Sequence, residues 1–135
     1  MIYQRGLRRA AVIMFGHIGG KQMSENKTGL EARLRNTKAL SLVMSAEEAA
    51  ELVKDGMTVG VSGFTPSGYP KAVPLALAER AKNGEDIKID LYSGASVGPE
   101  IDTALTEAGV IRKRLPYHTN ATIRGKINEG EIEYI

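Results

Sequence analysis

Residues 57–74 read MTVGVSGFTPSGYPKAVP. The first six, MTVGVS, are short and rich in β-formers, which predicts a strand. GFTPSGY, residues 63–69, is a turn-rich loop. Beyond it, Val73, Leu75, Leu77, Ala78 and Ala81 fall at helical spacing and stop before Asn83-Gly84. Proline lacks an amide donor and is tolerated in a helix only in its first turn, so Pro74 places the helix start at about Lys71. The stretch is therefore a strand, a glycine loop and a helix, in that order.

A helix precedes this unit, and the same unit recurs downstream. Upstream, Ser45-Ala46-Glu47-Glu48 has the form of a capping box, Ala49, Ala50, Leu52 and Val53 give one apolar face, and Gly56 supplies a stop. Downstream, IKIDLYS (87–93) is a strand, GASVGP (94–99) a second glycine loop, and residues 100–108 a helix with Ile101, Ala104, Leu105 and Ala108 on one face. Residues 110–115 predict a third strand and 116–119 a loop, and Asn120 can cap a helix over 121–128. Residues 131–135 begin another strand. Three β-loop-α units imply an α/β fold with an open, mostly parallel sheet and helical crossovers. The last strand is followed by no partner, and an open edge is a liability, so a sheet cut short at the C-terminus is expected.

A chain of 135 residues is the size of one domain and can bury roughly two-thirds of its unfolded surface. Residues 45–135 carry the α/β pattern. Residues 23–44 read as a polar N-terminal arm, with Leu30, Arg33 and Leu34 on one helical turn. Residues 1–22 differ from the rest. Residues 1–24 hold Arg5, Arg8, Arg9 and Lys21 and no acid. Taking these four from the 18 bases leaves 14 against all 16 acids in the other 111 residues. The sequence pI of about 8.9 is thus a property of the leader, and a globally basic nucleic-acid surface is not supported. The leader's apolar stretch is short and lacks an A-x-A site, unlike a signal peptide. Its preferred reading is an upstream stretch, not native or disordered, with Met23 as the true start. A transit peptide is the alternative, which would make the protein mitochondrial instead of cytoplasmic. Cysteine is absent, and no apolar run approaches the ~20 residues of a membrane helix.

In an open parallel sheet, ligands bind outside the carboxyl ends of the strands. Three loops lie there: residues 63–70, 94–99 and 116–120. Each leads into a helix N-terminus, where free amides and the dipole favour an anion. Ser62, Thr65, Ser67, Ser96 and Thr119 add hydroxyls to the same rim, giving a neutral pocket suited to something negative. Glycine-rich βα turns also serve simply to reverse the chain, and both readings stand at this level. Tyr69 stands where a P-loop needs lysine, which excludes that motif, and the dinucleotide fingerprint is absent. Glu100 and Asp102, two apart on a helix start, read as solvated acids. Arg112-Lys113-Arg114 reads as a solvated strand end, and Arg124 as structural. His17 and His118 are too far apart to suggest a metal site, and His118 reads as a hydrogen-bonding loop residue.

The run SGFTPSGYPKAVP, residues 62–74, closely resembles the first glycine loop of the acetyl-CoA hydrolase/transferase family, which contains the class I succinyl-CoA:acetate CoA-transferases. GASVGPE (94–100) resembles its second loop, and RLPY (114–117) and INEGE (127–131) match its next segments in order. The resemblance covers residues 34–135. It implies two similar α/β halves in a chain roughly four times as long, a homodimer when complete, and coenzyme A as substrate with no permanently bound cofactor and no metal. It implies exchange of CoA between an acyl-CoA and a small carboxylic acid. A glutamate attacks the thioester to give an acyl-glutamyl anhydride, then a glutamyl-CoA thioester.

That nucleophile belongs to the C-terminal half, so no residue here is catalytic and these 135 residues alone are expected to be inactive. The N-terminal half lines the carboxylate pocket: Ser96 and Thr119 would bond the carboxylate, and Gly63, Phe64, Thr65, Gly68 and Gly94 would shape the wall. His118 stands where the family pattern has asparagine. An acyl-CoA hydrolase of the same family, and a non-catalytic carboxylate-binding module, are the competing readings; neither nucleic acid nor a membrane is a partner in any of them.

Overall fold

The computed structural model describes residues 10–13, 33, 35–63, 67–94, 97–115 and 120–135. Five strands form one parallel sheet: β1 (Ala10–Ile13), β2 (Thr58–Val61), β3 (Ile89–Tyr92), β4 (Ile111–Leu115) and β5 (Glu133–Tyr134). Their spatial order follows the sequence, β1-β2-β3-β4-β5. With right-handed crossovers that order lays successive helices on one side of the sheet. The helices are α1 (Ala46–Glu51), α2 (Ala72–Lys82), α3 (Pro99–Asp102), α4 (Ala104–Glu107) and α5 (Ala121–Asn128). They pack in one layer, α1 on α2, α2 on α3 and α4, and α4 on α5. β1 falls inside the segment that composition sets apart as a leader; its Ala-Ala-Val-Ile backbone runs parallel to β2 along the sheet edge.

The predicted local signals take the form their chemistry dictates. Ser45 Oγ accepts from the Glu48 amide at 3.1 Å, and the Ser45 amide donates to Glu48 Oε2 at 2.8 Å, completing the capping box. Pro74 sits in the first turn of α2, where its missing N–H removes no intrahelical bond. Asn120 Oδ1 accepts from the Ile123 amide at 3.2 Å to start α5. Within the polar arm, residues 37–42 form a 3-10 helix. Asn36 Oδ1 accepts from the Lys38 amide and Ser41 Oγ donates to the Lys38 carbonyl, local bonds that favour a tight turn. The helix expected over 100–108 is two short ones that meet at Thr103.

The core lies between the sheet and the helical layer. Val59, Ile89, Leu91 and Ile111 rise from the strands to meet Val53, Val73, Leu77, Ile101, Leu105 and Ile123, all buried. Arg80 joins α1 to α2. Its Nη1 donates to the carbonyls of Ala50 and Val53, at the C-terminal end of α1, while its other nitrogens hold Glu85. The Ala50 carbonyl also accepts from the Val53 amide at 3.0 Å, so Arg80 adds a second bond to a carbonyl at the helix end.

One irregularity in the sheet reaches the ligand edge. Ile89 lies opposite Ile111, but Asp90 lies opposite Lys113, so Arg112 is an extra residue on β4. The side-chain alternation of β4 shifts by one from there on. Arg114 therefore stands in the row Val59–Leu91–Arg114, facing the helices.

Candidate functional site

β2, β3 and β4 end side by side, and their continuations at Ser62, Ser93 and residue 116 open the three loops on one edge of the sheet. The Ser93 amide donates to the Leu115 carbonyl at 3.1 Å, keeping the second and third loops adjacent at their roots. Gly63, Gly68 and Gly94 are on this edge; Phe64, Thr65, Ser96, Thr119 and His118 lie outside the described residues. Ser62, expected as a rim donor, is committed to its own loop: its Oγ donates to the Gly68 carbonyl at 2.9 Å, and a hydroxyl has one proton to give.

Tyr69 is the centre of the edge. It is 7% exposed and sits between the first and second loops. Its hydroxyl donates to Glu100 Oε2 at 2.7 Å and accepts from Lys71 Nζ at 2.9 Å. The Lys71 ammonium also stands 4.2 Å from the centre of the Tyr69 ring and 3.8 Å from Glu100 Oε1. Two glycines make room for this residue, Gly63 for its Cβ and Gly98 for its ring. A Cβ at Gly63 would lie 2.6 Å from Tyr69 Cβ, and one at Gly98 would lie 2.6 Å from Tyr69 Cε2 and closer still to Cζ and the hydroxyl. Gly63 also has φ +130°, a conformation that L side chains rarely adopt. At these two positions the close approach that glycine permits is by Tyr69.

The acids of α3 are not solvated, contrary to expectation. Glu100 is partly buried in the Tyr69–Lys71 cluster. Burial works to raise its pKa, but the Tyr69 hydroxyl, its own backbone amide and the Lys71 charge outweigh that and hold it below the usual carboxylate range. The hydrogen bond to Tyr69, more than offsetting desolvation, raises the pKa of Lys71. Asp102 is fully buried, and its Oδ1 accepts from Arg114 Nη2 at 3.1 Å.

Arg114 corrects the reading of the basic run as a solvated strand end. Its side chain is fully buried; Nη2 also donates to Ser93 Oγ at 2.7 Å and Nη1 to the Leu115 carbonyl, while Nε has no partner among the described residues. Desolvation lowers the pKa of this guanidinium, and Asp102 works against the fall. Arginine remains charged regardless, so its pairing with Asp102 is needed. The other two members of the run lie on the opposite sheet face, with Arg112 Nε 2.8 Å from Asp90 Oδ1 and Lys113 Nζ 2.9 Å from Glu133 Oε1. Asn120 completes the frame: its Nδ2 donates to Thr103 Oγ1 at 3.0 Å, tying the start of α5 to the α3–α4 junction. Arg124 is exposed.

The edge is therefore a rigid frame of two polar clusters, Tyr69–Lys71–Glu100 and Ser93–Asp102–Arg114, carrying three loops. No group of three or more His, Asp or Glu able to hold a metal occurs among the described residues, and no helix among them is long and apolar enough to cross a membrane.

A sequence profile of the acetyl-CoA hydrolase/transferase N-terminal domain matches residues 29–135, which include every element that builds this edge. The chain belongs to the acetyl-CoA hydrolase/transferase family. It is 48% identical over 105 residues to the succinyl-CoA:acetate CoA-transferase of Clostridium kluyveri, covering 77% of this chain and 20% of that protein. It is 41% identical over 96 residues to the propanoyl-CoA:succinate CoA transferase of Escherichia coli, covering 68% of this chain and 20% of the relative. To the acetyl-CoA hydrolase of Saccharomyces cerevisiae it is 38% identical over 108 residues, covering 78% and 20%. The chain thus spans about one fifth of the length of these relatives, and it aligns with family members that include both transferases and hydrolases.

Proposed function

We propose that this chain is the N-terminal portion of an enzyme that moves coenzyme A between an acyl-CoA and a small carboxylic acid, and that its three loops line the pocket for the carboxylate. The observation that carries the reading is the 48% identity to a succinyl-CoA:acetate CoA-transferase over 105 residues, 77% of this chain. In the reaction a carboxylate attacks the thioester carbonyl and expels the CoA thiolate, giving an anhydride. The thiolate then attacks the enzyme's own acyl carbon and releases the first acid. Glu100 is not suited to be that nucleophile. Its oxygens are engaged by the Tyr69 hydroxyl and the Lys71 ammonium and serve the frame, and the attacking carboxylate is assigned outside these 135 residues. What these residues supply is placement: the frame fixes the loop roots, and loop donors meet the acid.

The acetyl-CoA hydrolase reading has weaker support, since identity to the yeast enzyme is 38% against 48% for the clostridial transferase. The test is a chimera in which the matched 105 residues of the clostridial transferase are replaced by those of this chain. Transfer of CoA from succinyl-CoA to acetate is expected to persist. A folded chimera that hydrolyses acetyl-CoA but ignores acetate as acceptor favours the hydrolase. A folded chimera with neither activity overturns the proposal. The 135-residue chain alone is expected to give no turnover with acetyl-CoA and succinate.

A further inference from the structure

We propose that Tyr69 is a positioning residue, a latch that holds the second glycine loop and the head of α3 against the first loop and so sets the gap between them at the ligand edge. Three independent features of the molecule converge on it. Its hydroxyl reaches 31 residues along the chain to Glu100 Oε2, a direct polar tie between the first loop and the head of α3. Tyr69 occupies space that only glycine leaves free, its Cβ against Gly63 on one loop and its ring against Gly98 on the other. Lys71, two residues on, covers the ring and closes a triangle with the same carboxylate. α3 is only four residues long, and its N-cap, Gly98, supplies no side-chain cap, so its head is tied to the first loop from outside the helix.

The latch differs in kind from the second cluster. Arg114 and Asp102 are fully buried beneath the loops and hold strand ends to α3. Tyr69 and Glu100 join the first loop to the head of α3 nearer the surface, with Glu100 partly exposed. The consequence for a carboxylate ligand rests on the reading given under Proposed function; the latch itself does not.

The test compares the 135-residue chain with its Tyr69→Phe, Glu100→Gln and Lys71→Met variants by amide hydrogen exchange. Tyr69→Phe keeps the ring and removes only the hydroxyl. Loss of a bond to a charged acceptor is expected to speed exchange at residues 97–102 about tenfold or more. Exchange at Leu91 and Ile123, in the core, is expected to stay within about twofold. Glu100→Gln keeps an acceptor and is expected to retain part of the protection. Lys71→Met is expected to have the smallest effect. The Glu100 carboxyl carbon, followed by NMR, is expected to titrate at higher pH in Tyr69→Phe.

Unchanged exchange at 97–102, or a uniform rise across the domain, overturns the latch. Acetate titration of the same samples separates the two ideas. A chain whose loop loosens locally but that shows no acetate response keeps the latch and loses the carboxylate reading. Acetate binding that is equal in all variants, with unchanged exchange, keeps the carboxylate reading and loses the latch.

Discussion

Gly98 is packed directly against the Tyr69 ring: a Cβ at position 98 would fall 2.6 Å from Tyr69 Cε2 and nearer still to the hydroxyl. The two residues are 29 apart in sequence and belong to different loops. Gly98 has no need of an unusual backbone angle, its φ being −126°, so the steric relationship alone demands glycine here.

That demand is testable by a double-mutant cycle. Gly98→Ala inserts a methyl into an occupied site and is expected to destabilise the domain by about 1–3 kcal/mol, measured by urea unfolding. In a Tyr69→Ala background the space is already open, and the same substitution is expected to cost less than about 0.5 kcal/mol. Additive costs would show that Gly98 is required for some other reason.

The buried ion pair gives a second prediction. Asp102→Asn leaves the Arg114 guanidinium fully buried without a counter-charge and is expected to cost about 3–5 kcal/mol, a large share of a domain's stability. Replacing both partners by apolar residues of similar size, Asp102→Leu with Arg114→Met, is expected to recover most of that loss. Equal instability of the single and double variants would mean that the bonds to Ser93 and the Leu115 carbonyl, not the pairing, carry Arg114.

The contrast between these clusters and the well-anticipated caps shows where sequence reading succeeds. The Ser45–Glu48 box, the Asn120 cap, the limit set by Pro74 and the three β-loop-α units are all local, decided by neighbours within a few residues. They were legible, and so was the placing of the loops on one edge. Arg114 was not. Strict alternation from Ile111 would turn Lys113 inward and Arg114 outward. The extra residue at Arg112 reverses this, and a bulge depends on the strand partner. Asp102 followed from Arg114 and was lost with it. Tyr69 stood within the quoted motif but was weighed only as the residue that excludes a P-loop. Its partner lies 31 positions away, beyond the reach of spacing.

Glu100 yields a pH prediction with a definite sign. Its folded pKa lies below the ordinary value because Tyr69, its own amide and Lys71 together overcome burial. A depressed carboxylate contributes stability above its unfolded pKa, about 4.3, and loses it as pH falls through the folded value. Wild type is therefore expected to exceed Glu100→Gln in melting temperature at pH 6–7, with the difference shrinking below about pH 4. Lys71, the charged group facing Glu100, has a raised pKa and remains protonated throughout this range, so the change is assigned to the carboxyl itself. A difference that is constant from pH 7 to pH 3 would show that the substitution acts through packing.

The last prediction concerns Ser96 and Thr119 and tests the carboxylate pocket directly. Both belong to loops that leave the carboxyl ends of β3 and β4, and both carry a hydroxyl donor. Loss of one neutral donor to a charged ligand costs roughly 1.5–3 kcal/mol, which is about tenfold or more in binding. In the chimeric transferase, Ser96→Ala and Thr119→Val are each expected to raise the KM for acetate by about tenfold or more. The KM for succinyl-CoA is expected to move less, because most of its binding surface, the pantetheine and nucleotide, is assigned to the rest of the enzyme. Thermal unfolding of both variants is expected to match the parent chimera, since neither hydroxyl is proposed to support the frame built by Tyr69 and Arg114. An acetate KM that stays constant while acyl-CoA binding collapses would assign these loops to the CoA site and remove the carboxylate pocket from this edge of the sheet.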